Sequence, residues 1–413
     1  MSQIEQLIQQ YCPDGVEYKP IGDIMYVSDY VSAGSFASIR ENVQYLSEPD
    51  YAILLRFADY TSGFNSSKFV YVNEHAYNYL KKSNLKPGDI VMSNVGSCGS
   101  LFVCPNLGMP ITLAPNSIVI KTSNNRFYFH WFSSKAAQDE IAKIKSKSAM
   151  PKFNKTEFKK IMVPSPPLPV QEEIAKILDS FTELQAELQA ELQARRQQYQ
   201  YYRDKLLSFE GRDDVEWKKL GNIGNQWYRG SGIKRDEVTE LGIPCIRYGE
   251  IHTTYNIWFD NCVSHTDANK QTSKKYADCG DILFAITSED IPFVGNSVAY
   301  LGKERILVGG DIVVMKHSQN PKYLSYALST SDAVRQKGKG KVKSKVVHTN
   351  VPSLKEIEIP IPSLEEQERI ASTLDRFDAL VNDLSQGLPA EIEAMKRQYE
   401  YYRDKLLTFK KKA

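Results

Sequence analysis

Two runs of lysines are spaced to meet phosphates. Lys143, Lys145 and Lys147 are followed by Lys152 and Lys155 with no acid among them, and Arg335, Lys337, Lys339, Lys341, Lys343 and Lys345 form a second run. In an extended chain alternate residues share one face, so each run presents a row of ammonium groups about 6.6 Å apart. Such a row suits a nucleic-acid backbone, where phosphate neutralisation dominates affinity. Gly338 and Gly340 interleave the second run and leave room for a close approach. One lysine run alone reads as a solvated loop; recurrence at matching places in two halves of the chain favours the phosphate reading. Arg56 and Arg247 also match each other, each closing an apolar run. An arginine there either donates two hydrogen bonds to guanine or pairs with a carboxylate of its own lobe, for which Asp59 and Glu250 are placed.

The tyrosines Tyr199, Tyr201, Tyr202 and Tyr399, Tyr401, Tyr402 have the chemistry to stack on bases. They also continue the apolar seams of two helices, so packing against another helix or a protein partner is the stronger reading. Catalytic constellations are absent from the sequence. Pro13-Asp14 with Glu17-Tyr18-Lys19 faintly follows a PD…ExK nuclease pattern, but the spacing is too compressed for carboxylates on separate strands. There is no G-x-x-x-x-G-K-[ST] loop, no G-x-G-x-x-G turn, and no Asn/Asp-Pro-Pro-Tyr/Phe tetrapeptide. The six cysteines form no C-x-x-C and lie away from the six histidines, which points to reduced thiols in a cytoplasm and to no metal.

Composition sets the outer bounds. The chain has 413 residues, 42% hydrophobic and 25% charged, as folded proteins do. Lys plus Arg is 52 against 50 for Asp plus Glu, a formal charge of +2 that excludes a histone-like protein but not segregated basic surfaces. No apolar run approaches the ~20 residues of a membrane span, and Met1–Gln10 lacks the plan of a signal peptide.

The elements that position these residues come in two copies. Tyr201-Tyr-Arg-Asp-Lys-Leu-Leu207 recurs letter for letter at Tyr401–Leu407, and Pro164–Ala175 aligns with Pro360–Ala371. Leu178-Asp179 and Phe181 match Leu374-Asp375 and Phe377, and Gly88-Asp89-Ile90 matches Gly280-Asp281-Ile282. The period is about 200 residues, so the order is lobe, helix, lobe, helix. Ser363-Leu-Glu-Glu366 is a capping box, and Pro167 and Pro169 sit where a helix start tolerates missing N–H groups. From Ile174 to Phe209 and from Ile370 to Phe409 apolar residues recur at steps of three and four, predicting helices about 40 residues long, the second interrupted at Gly387-Leu-Pro389. The first carries Glu-Leu-Gln-Ala three times in tandem, from Glu183 to Ala194. The lobes mix β-like runs (Ile53–Phe57, Asp89–Met92, Ser117–Lys121; Cys245–Tyr248, Asp281–Ala285, Ile312–Met315) with helical stretches at Phe127–Lys145 and Pro321–Lys337, hence an α+β class.

Two lobes, each followed by a Pro-rich lead-in, a Gln-Glu-Glu-Ile-Ala or Glu-Gln-Glu-Arg-Ile-Ala helix start and a Gln-Tyr-x-Tyr-Tyr-Arg-Asp-Lys-Leu-Leu ending, resemble the specificity subunit of type I restriction-modification systems. The resemblance covers nearly the whole chain and is strongest at 160–209 and 356–409. It implies two target-recognition lobes, each reading one half of a bipartite asymmetric site in double-stranded DNA. It further implies two long antiparallel helices in a pseudo-two-fold arrangement that set the gap and dock two modification (methyltransferase) subunits. The chain itself would be non-catalytic and hold no cofactor: S-adenosylmethionine belongs to the modification subunits, and ATP and Mg belong to partner subunits, including the restriction (translocase/nuclease) subunits. The expected domains are 1–158, a recognition lobe; 159–210, a spacer helix; 211–353, the second lobe; and 354–413, the second spacer helix. The other class compatible with the pattern is a two-lobed coiled-coil adaptor that binds proteins rather than DNA.

Overall fold

The computed structural model describes residues 3–267, 274–342, 345–382 and 387–412. Chain contacts divide it into two compact units, Met1–Leu188 with Ile392–Ala413, and Gln189–Glu391. Each unit is therefore a lobe, the start of its own helix, and the end of the other copy's helix.

The lobes share one strand plan. In the first, an antiparallel sheet is ordered Tyr26–Asp29, Ser117–Lys121, Ile90–Ser93, Leu101–Val103. Beside it lies a mixed sheet ordered Tyr71–Val72, Ala52–Leu55, Ile111–Leu113, Asn84–Leu85, whose central pair is parallel. The second lobe repeats both with one strand more in each: Gln226–Arg229, Ile312–Lys316, Ile282–Ala285, Ser297–Tyr300, Trp258–Phe259, and Val238–Thr239, Ser264–Thr266, Ile243–Ile246, Ile306–Val308, Tyr276–Ala277. Again the pair Ile243–Ile246 and Ile306–Val308 is parallel. The continuous apolar runs at Ile90–Ser93 and Ile282–Ala285 are buried at every position, as strands covered on both faces require. Each lobe is closed by a two-stranded antiparallel ladder just before its helix, Tyr18–Pro20 with Met162–Pro164 and Glu216–Lys219 with Glu358–Ile361.

Each helical stretch foreseen in a lobe is two helices. Asn125–Ser133 stops before Ser134, whose hydroxyl accepts from the Ala137 N–H to start Lys135–Ile144; Pro321–Leu328 stops likewise before Thr330, which caps Ser331–Gly338. The first spacer helix is continuous over Leu168–Ser208, 41 residues and thus about 60 Å. The second comprises Leu364–Asn382, capped by Ser363, and Gly387–Leu406, with Gly387 at φ +67. Residues 383–386, just before the foreseen interruption at Gly387-Leu-Pro389, lie outside the described residues, and Gly387, Leu388 and Pro389 open the second segment.

Candidate nucleic-acid interface

Both basic runs end beside the central strand of a lobe. In the first, the Ser146 and Lys152 backbones pair (2.9 Å), and Gly96 N–H donates to the Pro151 carbonyl (2.8 Å). The loop tip thus presents Lys147, Ser148, Ala149 and Met150 to solvent just past Ile90–Ser93. In the second, Val347–His348 pairs antiparallel with Thr287–Ser288, just past Ile282–Ala285. Lys339 and Lys345 are exposed and Lys341 is half-buried; Lys343 lies outside the described residues.

The uninterrupted extended rows foreseen from the alternation do not form. Lys143 lies in the last turn of Lys135–Ile144 and pairs with Glu140 (2.5 Å), while Lys145 caps that helix. Lys152 is exposed, and Lys155 reaches back to Asp29 (2.9 Å). Arg335 and Lys337 belong to Ser331–Gly338, and Lys337 is not a surface residue at all. Only 6% of it is exposed, its ammonium donates to the Leu328 carbonyl (2.8 Å), and burial pushes its pKa down to about 7. Helical periodicity, with 100° per residue in place of 180°, turns this side chain inward.

Arg56 and Arg247 each precede a short helix and meet the acid three residues on. Arg56 forks onto Asp59, Nε at 3.2 Å and Nη2 at 2.6 Å, and Asp59 is 1% exposed. Arg247 comes nearest to Glu250 through Nε, at 3.5 Å, too long for a hydrogen bond of good geometry.

Of the tyrosines, Tyr199 is buried and Tyr399 half-buried, with the Tyr399 hydroxyl bonded to His130. Tyr201, Tyr202, Tyr401 and Tyr402 are 60%, 53%, 60% and 41% exposed, each pair set edge to face at 5.3 Å. Lys205 and Lys405 lie over the Tyr201 and Tyr401 rings.

The repeated letters that carried no assigned chemistry turn out to hold helices to lobes. Gln171 and Gln367 are buried and donate to the carbonyls of Pro166 (2.8 Å) and Pro362 (2.9 Å), fixing the angle of each helix start. Asp179 receives Arg126 and His130 Nε2, the latter at 2.6 Å; Asp375, its equivalent, receives Lys322 (2.6 Å) and the Tyr326 hydroxyl (2.7 Å). His130 Nδ1 is bonded to the Tyr399 hydroxyl at 2.9 Å, and desolvation, with Arg126 and Arg403 nearby, pushes its pKa down to about 4. Asp204 accepts from the Ser331 N–H (3.1 Å) and Asp404 from the Lys135 N–H (3.4 Å), so each arriving helix end places a carboxylate at the N-terminus of a lobe helix. Within the second unit the helices run antiparallel: Arg196 meets Val381, and Arg212 meets Glu366. The recurrence of these letters was legible in the sequence; their partners, tens to hundreds of residues away, were not.

Among the described residues no helix is long and apolar enough to cross a membrane. The family profile described as the type I restriction modification DNA specificity domain matches twice, at residues 13–195 and 212–394. The chain is 36% identical over 263 residues to the Escherichia coli type I restriction enzyme EcoR124I/EcoR124II specificity subunit, covering 61% of this chain and 64% of that one, so the match spans less than two thirds of that relative. It is 31% identical over 297 residues to a Haemophilus influenzae chain described as a putative type I restriction enzyme specificity subunit, covering 69% and 72%. A solved chain from work on complex assembly and conformational transition of the type I R-M system superposes with a TM-score of 0.61 at 15% identity, covering 96% of this chain and 98% of that one, a likeness of fold. With one recognition domain matched in each half, in the α+β, internally repeated fold described above, the chain belongs to the type I restriction-modification DNA specificity family.

Proposed function

We propose that this chain is the non-catalytic specificity subunit of a cytoplasmic type I restriction-modification complex, and that each lobe reads one half of a bipartite, asymmetric DNA site. The observation that carries the reading is the duplication itself. Two lobes of one strand plan each hold a basic loop beside the equivalent central strand, yet differ in the residues around it. An identical pair suits a palindrome, whereas a diverged pair on a fixed spacer suits two different half-sites. The exposed tyrosine pairs and the helices bearing them supply the surface for two modification subunits. Those subunits bring S-adenosylmethionine and methylate adenine, and restriction subunits with ATP and Mg join in the full complex. On this reading Lys147, Lys152, Lys339, Lys341 and Lys345 contact phosphates, and Lys143 adds charge at the rim. Nothing specific in the lobes favours the protein-binding adaptor. The test is methylome sequencing of the host with and without this gene, supported by gel shifts on the resulting motif with the modification subunit present. A bipartite motif that vanishes with the gene is expected; an unchanged methylome refutes the reading.

A further inference from the structure

Resting on the reading of the lobes as base readers, we propose that Arg247 reads a guanine in one half-site, whereas its counterpart Arg56 is a scaffold residue that reads no base. The two arginines occupy the same place, directly after the strand of the parallel pair. Their guanidinium groups are used differently. The fork of Arg56 is spent on Asp59, and its Nη2 also donates to the Lys68 carbonyl at 2.6 Å. Around Arg247 the acid stays within 3.5 Å of Nε, but its hydrogen bonds go elsewhere. One Glu250 oxygen accepts from the Arg247 backbone N–H (3.1 Å), and the other accepts from the Ser264 hydroxyl (2.6 Å). The Nε of Arg247 is buried without a hydrogen-bond partner, and among the described residues none accepts from its two terminal nitrogens. A guanidinium with its bidentate edge unspent is matched in geometry to O6 and N7 of guanine.

The surroundings differ in the same sense. The Gly309 N–H donates to the Ile246 carbonyl as Ala114 N–H does to Leu55, so Gly309 and Gly310 stand where the first lobe has Ala114 and Pro115. A Cβ at Gly309 would lie 3.4 Å from Arg247 Cα, a Cβ at Gly310 3.2 Å from Gly232, and a Cβ at Gly230 2.2 Å from the Gly309 carbonyl. Glycines at 230, 309 and 310 therefore let these segments pack backbone to backbone beside Arg247, and exposed Gly232 leaves open space at their edge. The site is also wired to the basic loop. Half-exposed Tyr248 meets the His252 ring edge to face; His252 Nε2 is bonded to the Thr287 carbonyl (3.0 Å), and the Thr287 hydroxyl to His348 (3.1 Å). His348 lies three residues after Lys345, so the end of the basic loop and the helix that follows Arg247 share one hydrogen-bonded network.

The test uses the full chain assembled with its modification subunit, and reads the methylated motif for wild type, Arg247→Ala, Arg247→Lys and Arg56→Ala. The expected result is that both Arg247 variants relax one guanine in one half-site by roughly 10- to 100-fold in discrimination. The Arg247→Lys variant fails with the alanine one because an ammonium is not a fork. Arg56→Ala leaves every position of the motif unchanged while lowering the melting temperature. A motif unchanged in both Arg247 variants, with melting temperatures showing them folded, overturns the inference while leaving the lobes as readers. Relaxation by Arg56→Ala overturns the asymmetry. A wild-type complex with no bipartite motif removes the underlying reading, and the inference with it.

Discussion

Replacing Lys337 by Met tests whether this lysine belongs to the fold or to the DNA. Burial, with Arg203 nearby, pushes the pKa of this ammonium down to about 7, against about 10.5 for an ordinary lysine. A folded pKa below the unfolded one means that the unfolded chain keeps its proton over a range where the native state sheds it, so folding becomes harder as pH falls from about 10.5 to 7. The limiting penalty is about 4–5 kcal/mol at pH below 7, falling to about 2 kcal/mol at pH 9, a difference of roughly 2–3 kcal/mol. Met keeps the length and volume of the lysine stem, which packs against Gly295. It forgoes the bond to the Leu328 carbonyl, a loss of about 1 kcal/mol. Lys337→Met is therefore expected to be more stable than wild type near pH 6, by on the order of 2 kcal/mol, with the gain shrinking by pH 9. Denaturant titrations at pH 6, 7.5 and 9 measure this, and binding to the target duplex from 50 to 200 mM salt measures the other half. The logarithmic salt slope of the variant should equal that of wild type, because a lysine pointing inward neutralises no phosphate. A slope reduced by about one, or a stability difference independent of pH, refutes the argument.

Lys339→Ala and Lys345→Ala, whose side chains are exposed, should each weaken binding to all sequences alike and lower the salt slope by about one. Removing Glu187–Ala190 shortens the long helix by about 6 Å and should change the preferred gap by one or two base pairs, as read by methylome sequencing; an unchanged gap removes the ruler role. Asp204→Ala should cost about 1 kcal/mol in denaturant titration by stripping the carboxylate from the start of Ser331–Gly338, and Asp404→Ala a similar amount in the first lobe. His130 and His317 are both pushed down to about 4 by burial, so their contribution is intact above about pH 6.5 and lost as pH falls toward 4, on the order of 2–3 kcal/mol each. Melting curves at pH 7.5, 5.5 and 4.5 check it, and His130→Gln should flatten part of that loss.

Much of the architecture was legible because it rests on local rules. Serine and proline at the helix starts, apolar steps of three and four, and a heptapeptide repeated letter for letter placed both spacer helices and the duplication. The strands at Ser117–Lys121 and Ile312–Lys316 followed from short apolar runs between turns. The helical stretches read as single elements because Ser134 and Thr330 look ordinary in a run; only their hydrogen bonds to Ala137 and Ala333 reveal a new helix start. The error at Lys337 has a different source, because that residue already falls in the helical stretch Pro321–Lys337. Alternation of lysines with other residues fits a strand, but the residue lies on a helix, where the same spacing scatters side chains around the axis.

Sequence by itself determined that the chain is two copies of a lobe and a helix, which letters each copy shares, and which family they belong to. Only the tertiary structure decided which cations face solvent, which arginine keeps its fork free, and what the shared aspartates grasp. The physical reason is range. Helix and strand propensity, capping and periodicity act over a few residues and are written in adjacent letters. Inward or outward orientation, and the identity of a carboxylate's partner, depend on side chains that meet across the chain. His130 with Tyr399 and Asp204 with Ser331 join residues whose separation no local pattern encodes.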